Sequence, residues 1–320
     1  MTATSTLSRL ARLLHDGRFV VTAELTSSDS PDPVAIGRRA AVLRAAVDAV
    51  NCTDNTSAHV HLSALAAAHL LVEQGVEPIM QMTTRDRNRL ALQADLLGAA
   101  ALGVRNVVLM SGDDVTAGDH PEALRIHDID SLQLIEVAKG MRDRSVYLSG
   151  RRLEGSPSLF IGAVENPFAP PLDFRPLRLQ KKVAAGADFI QTQLVFDIDR
   201  FTRFMSQVRD LGLLEKVFII ASVGIPRSAR GARFMKEKVP GLHVPDALVA
   251  RLEQIAPARQ AEEGIAIAVE IVSALRTIPG VAGVHLIGIK WEEGVVRVAQ
   301  QAGLLPRPTL SPLATVGEAL

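Results

Sequence analysis

Cysteine is almost missing from this chain: Cys52 stands alone in 320 residues. No internal disulfide can form, and with no CxxC or Cys/His cluster a structural zinc site has no ligand set. A reducing, cytoplasmic setting is expected, and no metal site. Aromatic residues are scarce, at 4 %, with one Trp and one Tyr. Charge of either sign is not in excess, since Lys plus Arg and Asp plus Glu both number 35. Without a basic face or interleaved aromatics, neither nucleic acid nor an anionic membrane surface is an expected partner. Long apolar runs are missing too. The opening MTATSTLSRLARLLHDGR lacks the apolar core of a signal peptide, and no later stretch reaches the roughly 18 apolar residues of a membrane span. Neither GxGxxG nor GxxxxGK[ST] occurs, so the usual signals of a Rossmann or P-loop nucleotide site are absent.

What the chain does have is alternation. Short apolar runs, suited to strands buried on both faces, exchange with segments of helical periodicity along nearly its whole length. Eight strands are expected: Phe19 to Leu25, Val47 to Cys52, Pro78 to Met82, Val107 to Met110, Leu159 to Val164, Phe189 to Gln193, Val217 to Val223 and Val284 to Ile289. Between them fall helices such as Pro33 to Ala46, Ala58 to Gln74, the run from Leu90 to Gly103, Ser131 to Arg142, Pro176 to Ala185 and Asp199 to Gly212. The segments Arg227 to Glu237, Pro245 to Ile255 and Arg259 to Arg276 precede the last strand. Eight such units are the count of an α/β, single (β/α)₈ TIM barrel with parallel strands, with a doubly wound open sheet as the other arrangement. The expected division is a barrel over residues 1–305 and a loosely packed tail over 306–320. Leu7 to Leu14 reads as a short amphipathic helix closing the bottom.

In a parallel barrel the chemistry collects at the carboxyl ends of the strands. Those positions hold Glu24; Asn51, Thr53 and Asp54; Gln81 and Thr83; Ser111 to Asp114; Glu165 and Asn166; Gln193; and Lys290. The set is rich in carboxylates and amides and poor in nucleophiles, and Cys52 has no histidine partner near it in sequence. Glu24 stands in the apolar run FVVTAEL, where desolvation would raise its pKa and make it a general acid near neutral pH. Solvent exposure or pairing with an arginine is the equal alternative. Asp113 follows a glycine that allows a tight turn, which serves either to present a carboxylate or to build an Asx-turn. Gln193 needs hydrogen bonds if it faces inward, as a ligand contact or as part of a polar layer. His59, His61 and His69 fall in the second helix, in no recognisable metal spacing. Lys181 and Lys182 suit the last turns of a helix.

The segments VTAEL, RDRNRLALQADLLGAAALGVRNVVLMSGD, ENPFAPP and KKVAAGADFIQTQLVFD, with the final strand, resemble the methylenetetrahydrofolate reductase family over roughly residues 18–290, in order and spacing. The resemblance implies a (β/α)₈ barrel, FAD and NAD(P)H as cofactors, and reduction of 5,10-methylenetetrahydrofolate to 5-methyltetrahydrofolate, in either direction. Glu24 would be the general acid that protonates N10, Asp113 the acid near flavin and pterin, and Gln193 a pterin contact. Flavin contacts would fall to Thr53, Gln81, Ser111, Gly112, Asp113, Gly162, Asn166, Lys181 and Lys182. Ser111 stands where many members have Arg, Gln81 where they have His, Gly162 and Asn166 where they have Tyr and His, and Ile287 where they have Tyr. Three expectations follow from the whole: a flavin-dependent reductase, a reductase passing hydride directly from NADH, and a non-catalytic folate-binding subunit. An unrelated barrel lyase would have Lys290 as its only Schiff-base candidate. A homo-oligomer is compatible with all of them.

Overall fold

The computed structural model describes residues 7–310 apart from Ser27 and Pro240. The strands are β1 (Val20–Leu25), β2 (Ala49–Cys52), β3 (Pro78–Thr83), β4 (Asn106–Met110), β5 (Phe160–Glu165), β6 (Phe189–Leu194), β7 (Phe218–Gly224) and β8 (Val281–Ile287). They close into one barrel in chain order, every pair parallel, with β8 returning to β1 through Thr22 beside His285. The open-sheet alternative is thereby removed. Almost every strand residue is buried, as expected where helices cover the outside and side chains fill the inside.

Local chemistry sets the helix starts. In α2 (Pro33–Leu43) the Asp32 side chain accepts from Val34 N–H and Pro33 takes the first turn, where its missing N–H costs nothing. In α4 (Arg89–Ala101) Asn88 accepts from both Leu90 and Ala91 N–H, and α5 (Ser131–Arg144) opens on a reciprocal capping box between Asp130 and Gln133. The remaining layer is α3 (Ala64–Glu73), α6 (Phe174–Ala185), α7 (Ile198–Asp210), α8 (Ala229–Lys238), α9 (Asp246–Glu253), α10 (Gln260–Leu275) and α11 (Glu292–Gln301).

The amino-terminal end of the barrel is closed by α1 (Arg9–His15). Its Leu10, Leu13 and Leu14 pack on Val20, Ile79, Val108, Phe160, Phe189 and Ile220, and the Phe160 and Phe189 rings stack at 5.0 Å. Each such side chain contributes about 1.5–3 kcal/mol of burial, so this plug is a substantial part of the core.

Several expectations are corrected. The second helix begins at Ala64, not Ala58, because Ser63 caps it; Thr56–Ala58 form a separate single turn in which Ser57 and Ala58 have positive φ. His59 and His61 therefore lie in a loop and only His69 is helical. Strand β8 starts earlier, at Val281, and is followed by the unforeseen α11. The described part of the tail is not loose. Arg307 donates to Asp48 at 2.5 Å and to the Phe19 carbonyl at 2.8 Å, and Arg9 donates to the Pro308 carbonyl at 2.7 Å. Residues 311–320 lie outside the described residues.

Candidate active site

A cleft of about 530 Å³ opens at the carboxyl ends of the strands. Glu24, Gln81, Ser111, Gly112, Asp113, Asn166, Lys182 and Gln193 all line it, drawn from β1, β3, β6, α6 and the loops after β4 and β5. Glu24 is half-buried at the mouth, with no cation against it. Burial raises its pKa to about 7; a hydrogen bond from Gln81 opposes the rise and the nearby negative charge of Asp113 adds to it. A carboxyl in this state is half protonated near neutral pH.

Asp113 is exposed, and its Oδ2 accepts from Ser57 N–H at 2.9 Å. The Gln193 Oε1 accepts from Leu194 N–H at 2.9 Å, so the amide NH₂ is the group it can offer the cleft. Gly112 has φ 87°, and a Cβ there would come within 3.0 Å of Thr83, so the loop needs glycine to bring Asp113 over the barrel.

The opposite wall is built around Glu165, whose side chain is 1 % exposed. Lys182 Nζ donates to it at 2.7 Å and also to the Val164 carbonyl; Arg175 and Arg178 stand 3.8 and 4.0 Å away. Burial lowers the Lys182 pKa, against the attraction of Glu165. Below the mouth runs a polar layer that the sequence reading left to Gln193. The Asn51 amide donates to Gln191 at 2.7 Å and Gln191 returns the bond at 3.1 Å; Thr22 Oγ1 and His285 Nδ1 meet at 2.9 Å. Burial pushes His285 down to about 3, so the imidazole is neutral. The glutamine facing inward at this level is Gln191, two residues before Gln193. Strand periodicity alone could have found it, because positions two apart share a face.

Five of the residues assigned to flavin stand elsewhere or are already engaged. Gly162 lies low in the barrel, where a Cβ would meet the Phe189 ring at 2.3 Å, and it does not line the cleft. Lys181 is exposed on the outer side of α6, with its ammonium 5.6 Å from the Phe174 ring centre. Lys182 lines the cleft with its charge bound to Glu165. Asn166 lines it too, but its amide bridges Gly241 O at 2.7 Å and Phe168 N–H at 3.0 Å. Thr53 is fully buried beside the cleft-lining Asp54 rather than on its surface. Lys290 is exposed and outside the lining, and burial pushes the Cys52 thiol up to about 12, so neither is placed as a nucleophile here. Among the described residues no group of three His, Cys, Asp or Glu side chains is arranged to hold a metal ion, and no helix is long and apolar enough to cross a membrane.

The model of the family "Methylenetetrahydrofolate reductase" matches residues 9–303. Among curated proteins, Methylenetetrahydrofolate reductase 1 of Schizosaccharomyces pombe is 26 % identical over 236 residues, which is 72 % of this chain and 36 % of that protein. Methylenetetrahydrofolate reductase (NADH) 1 of Arabidopsis thaliana is 30 % identical over 42 % of this chain and 22 % of its own length. The chain thus spans about a third of the length of the curated relatives it matches most extensively. Among solved structures, an uncharacterized protein from Clostridium thermocellum that binds two copies of 5-methyl-5,6,7,8-tetrahydrofolic acid aligns with a TM-score of 0.67 at 13 % identity, covering 91 % of this chain and 97 % of its own. At that identity the likeness speaks for the fold.

Proposed function

The chain belongs to the methylenetetrahydrofolate reductase family, and on that footing we propose that it reduces 5,10-methylenetetrahydrofolate to 5-methyltetrahydrofolate with NAD(P)H as the hydride source. The observation that carries the proposal is Glu24, a carboxyl without a cation partner whose pKa is lifted to about 7 at the mouth of the barrel. Ring opening breaks the bond between the methylene carbon and N10, and the departing nitrogen needs a proton. Glu24 donates it, leaving a methylene iminium at N5. Hydride addition to that carbon completes the methyl group, and Glu24 recovers its proton from solvent.

Asp113 and Gln193 hold the pterin in this reading, one offering a carboxylate oxygen and the other an amide N–H. The remaining negative charge of Asp113 also favours the cationic iminium as it forms. The polar layer of Asn51, Gln191, Thr22 and neutral His285 gives the cleft a floor whose hydrogen bonds are internally satisfied. It adds no competing charge beneath Glu24.

A flavin would require cations or backbone donors free to meet its phosphates and an open wall for its ring. Lys182 is bound to Glu165, Lys181 points away from the cleft, Asn166 is spent on its own loop, and Gly162 is covered by Phe189. These four of the residues assigned to it do not fit a flavin's phosphates or ring, while Gln81, Ser111, Gly112 and Asp113 do line the cleft, and no step is routed through it. Hydride passing from the dihydronicotinamide straight to the iminium balances the reaction without it. The test is the visible spectrum of the purified protein together with folate-dependent NADH and NADPH oxidation, with and without added FAD. A colourless protein whose turnover is unchanged by FAD supports direct transfer. A yellow protein that needs FAD reinstates the flavin route, and no turnover with either dinucleotide favours a folate-binding subunit.

A further inference from the structure

Arg85, on the loop after β3, is more deeply covered than any other arginine at the mouth: its side chain is 3 % exposed. Its bonds go to no ligand-facing atom. Nε and Nη2 form a two-point pair with Asp86 at 2.6 and 2.7 Å. With the pair formed, Nη1 still donates to the Asp113 carbonyl at 3.0 Å and Nη2 to the Asn55 carbonyl at 3.3 Å. One planar fork thus joins the loops that follow β2, β3 and β4, a task a point charge such as lysine cannot repeat.

The loop on the far side is under strain. Asn55, Ser57 and Ala58 have φ of 47°, 56° and 58°, values that side chains rarely adopt and that cost of order 1 kcal/mol each. This bend turns the Ser57 N–H onto the Asp113 carboxylate. Asp113 is therefore gripped at both ends, by Arg85 at its carbonyl and by the strained loop at its carboxylate.

We propose that Arg85 is a positioning residue for the acid pair, clamping the loops after β2 and β4 so that the Asp113 carboxylate is held toward Glu24 and the cleft. This deepens the reductase reading and rests on it for the catalytic consequence, though the geometry stands without it. Glu24 is faced by Asp113 from the loop after β4, by Asp54 after β2 in its pair with Arg87, by neutral His285 from β8, and across the cleft by Glu165 with Lys182, Arg175 and Arg178. Strands β3, β6 and β7 present Gln81, Gln193 and Ser222, which do not titrate. Of these groups, Asp113 is the one whose charge raises Glu24. Freeing Asp113 should lower the midpoint of Glu24.

The experiment is a double-mutant cycle between Arg85→Gln and Asp113→Asn, read in two ways. The first is the titration midpoint of the Glu24 carboxyl, from infrared difference spectra of each protein against the same protein carrying Glu24→Gln. The second is kcat/KM for the folate. Either single change is expected to move the midpoint down by about half a pH unit or more, and the double change should add nothing to Asp113→Asn alone. Arg85→Lys, which keeps the charge beside Asp86, should behave like Arg85→Gln, and it carries the test if the glutamine variant does not fold. Additive shifts, or a midpoint unmoved by Arg85→Gln and Arg85→Lys, would overturn the proposal. Because the infrared midpoint needs no turnover, a wild-type protein without reductase activity would sink the functional reading and leave this one still decided by the cycle.

Discussion

Two glutamates stand at the mouth of this barrel on strands half a turn apart, and they live in opposite surroundings. Glu165, at the end of β5, is ringed by Lys182, Arg175 and Arg178, with the Lys182 ammonium 2.7 Å away. Glu24, near the end of β1, has no cation, a hydrogen bond from Gln81 and a negative neighbour in Asp113. On the proposed reading, the same side chain anchors one wall through its cations and carries a proton on the other. Burial is the largest cause of the raised Glu24 pKa and no cation offsets it, whereas Glu165 is buried against three cations. A protonated carboxyl near neutral pH is the arrangement that acid catalysis requires, and a fully neutralised one is the arrangement that holds a loop and a helix together.

Breaking the comparison at each glutamate should give different kinds of damage. Glu24→Gln keeps shape and removes the proton; turnover should fall by about 10²- to 10⁴-fold, with the folate KM changed only a few-fold, in a steady-state assay. A drop in affinity without loss of turnover would mean that Glu24 binds rather than protonates. Glu165→Gln should act on folding instead. It leaves the buried Lys182 without its anion, and denaturant titration should show a loss of about 3–5 kcal/mol. A stable Glu165→Gln protein would mean that Arg175, Arg178 and Lys182 relax into solvent easily.

Stability against pH sharpens the contrast further. The folded pKa of Glu24 is raised above its ordinary value of 4.5 to about 7, so its proton helps the folded state at low pH. That help is complete below about 4.5 and is lost as pH rises through 7. Glu24→Gln escapes the loss, and should be more stable than the wild type at pH 8 by on the order of 2 kcal/mol, with little difference at pH 4. Melting curves at the two pH values check this. His285 contributes with the opposite sign. Its folded pKa is depressed from 6.5 to about 3, so its share of stability is full above 6.5 and falls away as pH drops toward 3. A protein weakened at both ends of the scale is expected, with Glu24→Gln relieving only the alkaline side.

Much of the barrel was legible because its strands are buried on both faces and so stand out as short apolar runs, from VVTAEL to VAGVHLI. Glu24 was legible for the same reason: a carboxylate inside such a run is conspicuous. The helix after β8 was not. It carries Gly294 and three valines, residues with poor helix propensity, and it is held by packing of Val295 and Val298 and by the 2.5 Å pair of Glu292 with Arg39, 253 positions away. The polar layer was hidden likewise, since Thr22 and His285 meet across 263 residues of chain. Arg85 sat in plain view within RDRNR, but its partners include backbone carbonyls of Asn55 and Asp113, which no residue type announces. The ion pairing of Glu165 depended on α6 presenting Arg175, Arg178 and Lys182 toward β5, a matter of how helix and strand dock. Sequence reading placed Lys181 beside Lys182 as an equal. The structure separates them, one exposed and one buried.

The most direct test of Glu24 as the proton donor is the pH dependence of kcat for folate reduction by NAD(P)H. The account predicts activity on the acid side that declines along a single limb with a midpoint near pH 7, and a residual rate in Glu24→Gln that no longer follows that limb. A wild-type profile flat from pH 6 to 8, or a limb that persists unchanged in Glu24→Gln, would contradict it.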